Sequence, residues 1–149
     1  EKKVLKIRNP TATRPWQHVL EPLFGYLHLA YHLYKNPQIH GEPFNFGPNA
    51  NQNLSVGELI KKMSVYWPGS KYEIVSKEKI QHHEAGLLKL NCDKALFYLG
   101  WSPILDTKQT IEFTIDWYKK YYKNTSNAKK LTLSQIEKYQ SFASQLGIL

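Results

Sequence analysis

An α+β fold, with short strands and about five helices, is what this sequence predicts. Three observations carry the expectation. Apolar residues recur at helical spacing in several stretches, most of them bounded by a capping residue, a glycine or a proline. Strand-like runs are few and short, too few to close a doubly wound sheet without further chain. The composition is that of a folded domain: 149 residues, 42% hydrophobic and 13% aromatic. Mean hydropathy is −0.51, and no apolar run approaches the roughly 20 residues of a membrane span.

The elements follow in order. Val4-Leu5-Lys6-Ile7-Arg8 alternates and reads as a strand, and Asn9–Thr13 as a loop. Pro22 suits the first turn of a helix that carries Leu23, Tyr26, Leu27, Ala30 and Leu33 and stops at Asn36, before Pro37. Pro43–Pro48 reads as a short strand running into a turn, followed by a polar loop from Asn49 to Asn53. Ser55-Val56-Gly57-Glu58 is a capping box, opening a helix that ends at Trp67-Pro68-Gly69. Tyr72–Val75 and Leu88–Leu90 read as strands. Asn91 is placed to cap a helix from Cys92 to Leu99, closed by Gly100 in the left-handed conformation, with Trp101 filling the core behind it. Asp106–Gln109 opens a long helix through Ile111, Ile115, Tyr118 and Tyr122. A polar linker spans Asn124–Lys130, and a last helix runs from Thr132 to near Gly147.

Charge and cysteine usage narrow the setting. A net charge of +8 invites an anionic partner without naming one, although the cluster Lys119, Lys120, Lys123, Lys129 and Lys130 reads as a solvated face. The single cysteine, Cys92, makes no internal disulfide and suits a reducing cytoplasm. No signal-like segment opens the chain, so the expected location is cytoplasmic, with no membrane partner. The chain starts at Glu1 and its one methionine is Met63, which predicts a piece of a longer product.

Several chemistries fall away. Neither G-x-G-x-x-G nor G-x-x-x-x-G-K occurs, so no backbone phosphate cradle is encoded. His28 and His32 lie four apart, but no H-E-x-x-H accompanies them, and surface histidines are the better reading than a metal pair. Tyr31 and Lys35 fit Tyr-x-x-x-Lys, a match that ten tyrosines and many lysines produce by chance.

Two clusters remain. In Thr13-Arg14-Pro15-Trp16-Gln17-His18-Val19 a guanidinium stands between loop and helix; it suits phosphate oxygens, or it pairs with Glu21. In Gln81-His82-His83-Glu84 a carboxylate suits the vicinal hydroxyls of a ribose, or a loop salt bridge.

With their neighbours, these clusters resemble a known family. IRNPTATRPWQHVLEPLFGYL, FNFGPN, HEAGLLKLNCDKA and LGWSP are similar, in order and rough spacing, to the CDP-glucose 4,6-dehydratases of the extended short-chain dehydrogenase/reductase superfamily. The resemblance runs from Val4 to about Lys120. It implies that residues 1–149 form a C-terminal sugar-nucleotide-binding lobe, inactive alone, with NAD held by an absent N-terminal Rossmann half that carries the catalytic residues. The implied reaction converts CDP-glucose to CDP-4-keto-6-deoxyglucose for bacterial surface polysaccharides such as O-antigen, in a homo-oligomeric enzyme.

By the same resemblance Arg14 contacts the diphosphate and Glu84 the ribose. Gln81 stands where many relatives carry a second phosphate-binding arginine. Gln81 with His83-Glu84 is the form usual in the CDP-glucose branch, which puts His83 among the substrate-binding candidates. Arg8 stacks on cytosine, and Lys6 offers backbone groups to the base edge. Asn45, Gly47, Trp16 and His18 are expected to be structural. The alternatives are a lobe of another sugar-nucleotide epimerase or dehydratase, and a basic nucleic-acid-binding module, for which no recognition motif occurs.

Overall fold

In the computed structural model, residues 4–75 and 86–148 are described. Two small ladders and five α-helices make up the described chain. Strand β1 (Leu5–Ile7) pairs in parallel with β4 (Tyr72–Ile74), Lys6 facing Glu73. Strand β2 (Thr13–Arg14) pairs antiparallel with β3 (Leu54–Ser55). The helices are α1 (Leu20–Lys35), α2 (Val56–Tyr66), α3 (Asp93–Leu99), α4 (Thr107–Lys123) and α5 (Ala128–Gln145). Short 3₁₀ turns at Pro37–Ile39 and Thr125–Asn127 follow α1 and α4.

Local signals hold where they are strongest. Both capping boxes form, Ser55 with Glu58 at α2 and Asp106 with Gln109 at α4. Gly100 closes α3 with φ of +66°, its N–H bonding Leu96 O, and Trp101 behind it is buried.

Four expectations are corrected. Residues 43–48 form no strand: nothing among the described residues pairs with them, and Gln17 Nε2 donates to Phe46 O at 2.9 Å instead. Residues 88–90 form no strand either; the Leu88 N–H reaches a side chain, Thr13 Oγ1, at 3.4 Å. Thr13–Arg14, the end of the expected loop and start of the next motif, is a strand because Leu54–Ser55 supplies a partner. The helix α5 starts at Ala128 rather than Thr132: Asn124 Oδ1 accepts from Ser126 N and tightens the expected linker into a 3₁₀ turn. Smaller shifts are that α1 begins two residues before Pro22, and that Cys92, not Asn91, is the N-cap of α3, although Asn91 Oδ1 still accepts from Asp93 N.

Two apolar clusters hold the elements together. One gathers Ile39, Phe46, Ala95, Leu99 and Trp101, with the Phe46 ring edge-on to Trp101 at 4.9 Å. The other gathers Ile104, Leu105, Phe113, Tyr139 and Ala143. Phe24 packs against both, so α1 is their common element. Gly25 lets the Phe46 ring approach α1; a Cβ there would meet it at 2.5 Å.

The second cluster is built around a buried acid. Glu21, 1% exposed, accepts from Leu105 N at 2.6 Å, from Ile104 N at 3.1 Å and from Tyr139 Oη at 2.9 Å. One carboxylate thus ties α1 to the segment leading into α4 and to α5. Burial pushes its pKa above the usual carboxylate range, while the two N–H groups and the tyrosine pull the other way. No described helix is long and apolar enough to cross a membrane.

Candidate functional site

Arg14 sits on β2 in a backbone frame tied from several sides. Its own carbonyl accepts from Trp16 N at 2.9 Å. The Trp16 indole N–H donates to Leu54 O at 2.9 Å, so the residue after the Arg14-Pro15 pair clamps the opposite strand. The Arg14 side chain is half-buried, and its Nη1 donates to Thr13 O at 2.7 Å. Such a frame positions a guanidinium with little freedom left in the backbone.

The neighbouring Thr13 connects this strand to the far part of the chain. Its N–H donates to Gly86 O at 2.8 Å, and its Oγ1 accepts from Leu88 N at 3.4 Å. Residues 86–88 therefore lie against the strand that carries Arg14. Gln81, His83 and Glu84 lie outside the described residues.

Lys6 and Arg8 are exposed, Lys6 within β1 and Arg8 just beyond it. The Lys6 ammonium is 3.6 Å from the Glu73 carboxylate across the ladder, an exposed pair of small energetic weight. Leu5 N bonds Lys71 O and Val75 N bonds Ile7 O, so Leu5 and Ile7 turn their backbone groups toward β4. By the alternation of a strand, the Lys6 N–H and C=O face the opposite edge of the ladder.

Glu21, the alternative partner weighed for Arg14, is engaged by Ile104, Leu105 and Tyr139. Sequence reasoning missed that role because its partners lie 83, 84 and 118 residues away. The residues expected to be structural are so. His18 is buried, its Nδ1 accepts from Leu20 N at 3.3 Å, and its ring stands edge-on to Phe113. Burial lowers its pKa from 6.5 to about 4, so the ring is neutral near pH 7. Asn45 Nδ2 donates to Asn91 O, and a Cβ on Gly47 would meet Leu90 at 2.9 Å. His28 directs Nε2 at Leu99 O, 2.7 Å away, and no cluster of three metal-ligating side chains occurs among the described residues. Among the described residues, hollows of ≈ 420, 500 and 400 Å³ are walled by α2, α4, α5 and the start of α1, away from Lys6, Arg8 and Arg14.

No family model matches the chain. Its fold is shared with a solved sugar-nucleotide dehydratase, the dTDP-glucose 4,6-dehydratase of Bacillus anthracis str. Ames in complex with NAD. That structure superposes with a TM-score of 0.61 at 19% identity, over 87% of this chain and 37% of the other. In sequence the chain is similar to CDP-glucose 4,6-dehydratase of Salmonella typhimurium strain LT2, 40% identical over 113 residues, which are 76% of this chain and 31% of that protein. The resemblance read from its motifs is therefore shown: this chain is a relative of CDP-glucose 4,6-dehydratase. It spans about a third of the length of the relatives it matches.

Proposed function

We propose that residues 1–149 are the sugar-nucleotide-binding lobe of a CDP-glucose 4,6-dehydratase, with CDP-glucose as its ligand. The observation that carries the reading is the bond from Thr13 N to Gly86 O. It ties the strand of Arg14 to the residues that follow Glu84 in sequence. In this reading the Arg14 guanidinium makes charge-assisted hydrogen bonds to the diphosphate, and Glu84 accepts from the ribose hydroxyls. Gln81 and His83 line the same ligand. The flat Arg8 guanidinium stacks on the cytosine, and the open backbone edge at Lys6 meets the base.

The whole enzyme would oxidise the sugar at C4, remove water across C5 and C6, and return hydride to C6. NAD would accept and return that hydride. The sequence has no glycine-rich phosphate loop, and the N-termini of α2 and α4 are capped by Ser55–Glu58 and Asp106–Gln109. In this reading NAD and the proton-transfer groups belong to polypeptide outside this chain, in a cytoplasmic homo-oligomer. What this chain does is hold and orient the nucleotide.

Calorimetry with CDP and CDP-glucose tests the reading. The expected result is binding by the parent chain and at least a tenfold loss in Arg14→Ala, with the helical circular-dichroism signal retained. Absence of binding at millimolar ligand, or equal affinity in Arg14→Ala, would overturn it.

A further inference from the structure

The C-terminal half of α4 carries an aromatic surface bordered by lysines. Trp117 stacks on Tyr121 with ring centroids 4.9 Å apart, and Tyr118 on Tyr122 at 6.0 Å. Trp67, the C-cap of α2, meets Tyr122 edge-on at 6.2 Å, and Trp117 meets Tyr118 edge-on at 5.2 Å. These rings make one continuous patch, in which Tyr118 and Tyr122 are exposed. By helical spacing Tyr118 and Tyr122 form one row along α4, with Lys119 and Lys123 in the row beside it. Lys129 and Lys130 open α5 across the 3₁₀ turn, and all four lysines are exposed. From Trp117 to Ile136 the chain has no Asp, Glu or Arg. Lys120 is held by Asp116 at 2.7 Å, but among the described residues no carboxylate pairs with the other four.

The charge and the rings together narrow what this face meets. A second copy of the chain would bring like charges together, so the complement is an anion. Nucleic acid stacks its bases on free aromatic faces, whereas these rings turn faces on one another. The cations are all lysine, point charges without the planar fork that reads a phosphodiester in bidentate fashion. Tyrosine and tryptophan beside lysine is instead the composition that sits at the headgroup level of an anionic bilayer.

We propose that the corner between α4 and α5, centred on Tyr118, Tyr122, Lys119 and Lys123, docks on an anionic lipid surface. The rings enter the headgroup layer and the lysines meet the lipid phosphates. The contact is peripheral, since no described helix is long and apolar enough to cross a membrane. It departs from the sequence expectation of a solvated lysine face and no membrane partner, and it stands apart from the nucleotide reading.

Vesicle sedimentation tests it, on this chain and on a chimera of the Salmonella typhimurium relative whose matched stretch is replaced by this chain. Vesicles of phosphatidylcholine with about one third phosphatidylglycerol should sediment both proteins, and phosphatidylcholine alone neither. Tyr118→Ser with Tyr122→Ser, and separately Lys119→Gln with Lys123→Gln, should each weaken partition roughly tenfold with the helical circular-dichroism signal retained. Lys35→Gln with Lys89→Gln removes the same charge from exposed positions elsewhere and should change it less than about threefold. Equal losses in the two lysine pairs overturn the proposal, since net charge alone would then account for binding. So does an absence of binding, or equal binding to the neutral vesicles. Binding by the chain that vanishes in the chimera overturns it too, and would assign the rings to an intramolecular contact. Tighter binding of an oligothymidine, lost in the same variants, would give the face to nucleic acid instead.

Discussion

The region around Glu21 and the region around Arg14 are built on opposite plans. Glu21 is enclosed by α1, α5 and the segment leading into α4, and every partner it uses is a hydrogen-bond donor inside the fold. Arg14 stands on a two-residue ladder at the other end of the same motif, half-buried. A buried carboxylate with satisfied bonds joins α1, α5 and the segment leading into α4 at once; the guanidinium is instead seated on a strand, its Nη1 donating to the main chain at Thr13 O. In the proposed reading, the stabilising and ligand-facing roles of the RPWQHVLEP stretch fall on different residues, Glu21 and Arg14.

The largest expected effect breaks that separation from the stable side. Glu21→Ala leaves the Ile104 and Leu105 N–H groups and the Tyr139 hydroxyl without their acceptor. The expected loss is about 3–5 kcal/mol, read as a lowered urea midpoint. Arg14→Ala, by contrast, removes a half-buried side chain bonded to Thr13 O at a two-residue ladder, and its loss of stability should be the smaller. If Glu21→Ala unfolded at the parent midpoint, the buried network would not be the element that joins the helices.

Legibility in the sequence follows the same division. Capping boxes, the left-handed Gly100 and the helical periodicities are local, so α2, α3 and α4 could be read with small errors at their ends. The strands at residues 43–48 and 88–90 failed because a strand exists only with a partner. β-like residues alone do not supply one. The pairing of β2 with β3 went unread for the same reason, since Leu54–Ser55 looks like a helix entrance. Around the candidate site, Trp16 and His18 were legible as packing of the Arg14 motif. Glu21 was not, because a burial decided by residues more than 80 positions away leaves no local trace.

A change of pH sharpens the contrast between the buried groups. His18 has its folded pKa near 4 against an ordinary 6.5, so between those values the unfolded chain binds the extra proton. Its contribution is present above pH 6.5 and is lost as the pH falls toward 4, by about 3 kcal/mol at most. Glu21 has the opposite sign. Its folded pKa is raised, so its contribution is present below the ordinary carboxylate pKa and fades as the pH rises through the raised value. Urea titrations of the parent and of His18→Phe between pH 4 and 7 separate them. The parent should lose more stability on acidification than the variant, by the His18 amount. Parallel pH profiles would mean that His18 carries its proton in the folded state.

The smallest expected effect lies on the Arg14 side, where its ladder runs into α2. Ser55 is both a strand residue opposite Thr13 and the N-cap of α2, its Oγ accepting from Glu58 N at 3.2 Å. The Ser55 backbone N–H and hydroxyl both donate to the Glu58 carboxylate, which holds that acid below its usual pKa. Ser55→Ala removes the cap and one of those donors but keeps the backbone ladder. Stability should fall by about 1 kcal/mol. An NMR titration should find the Glu58 pKa moved back toward its ordinary value. Because the Thr13–Ser55 pairing is made by main-chain groups, CDP affinity should change less than twofold. A loss of affinity as large as that of Arg14→Ala would show instead that the cap, and not the ladder, holds Arg14 in place.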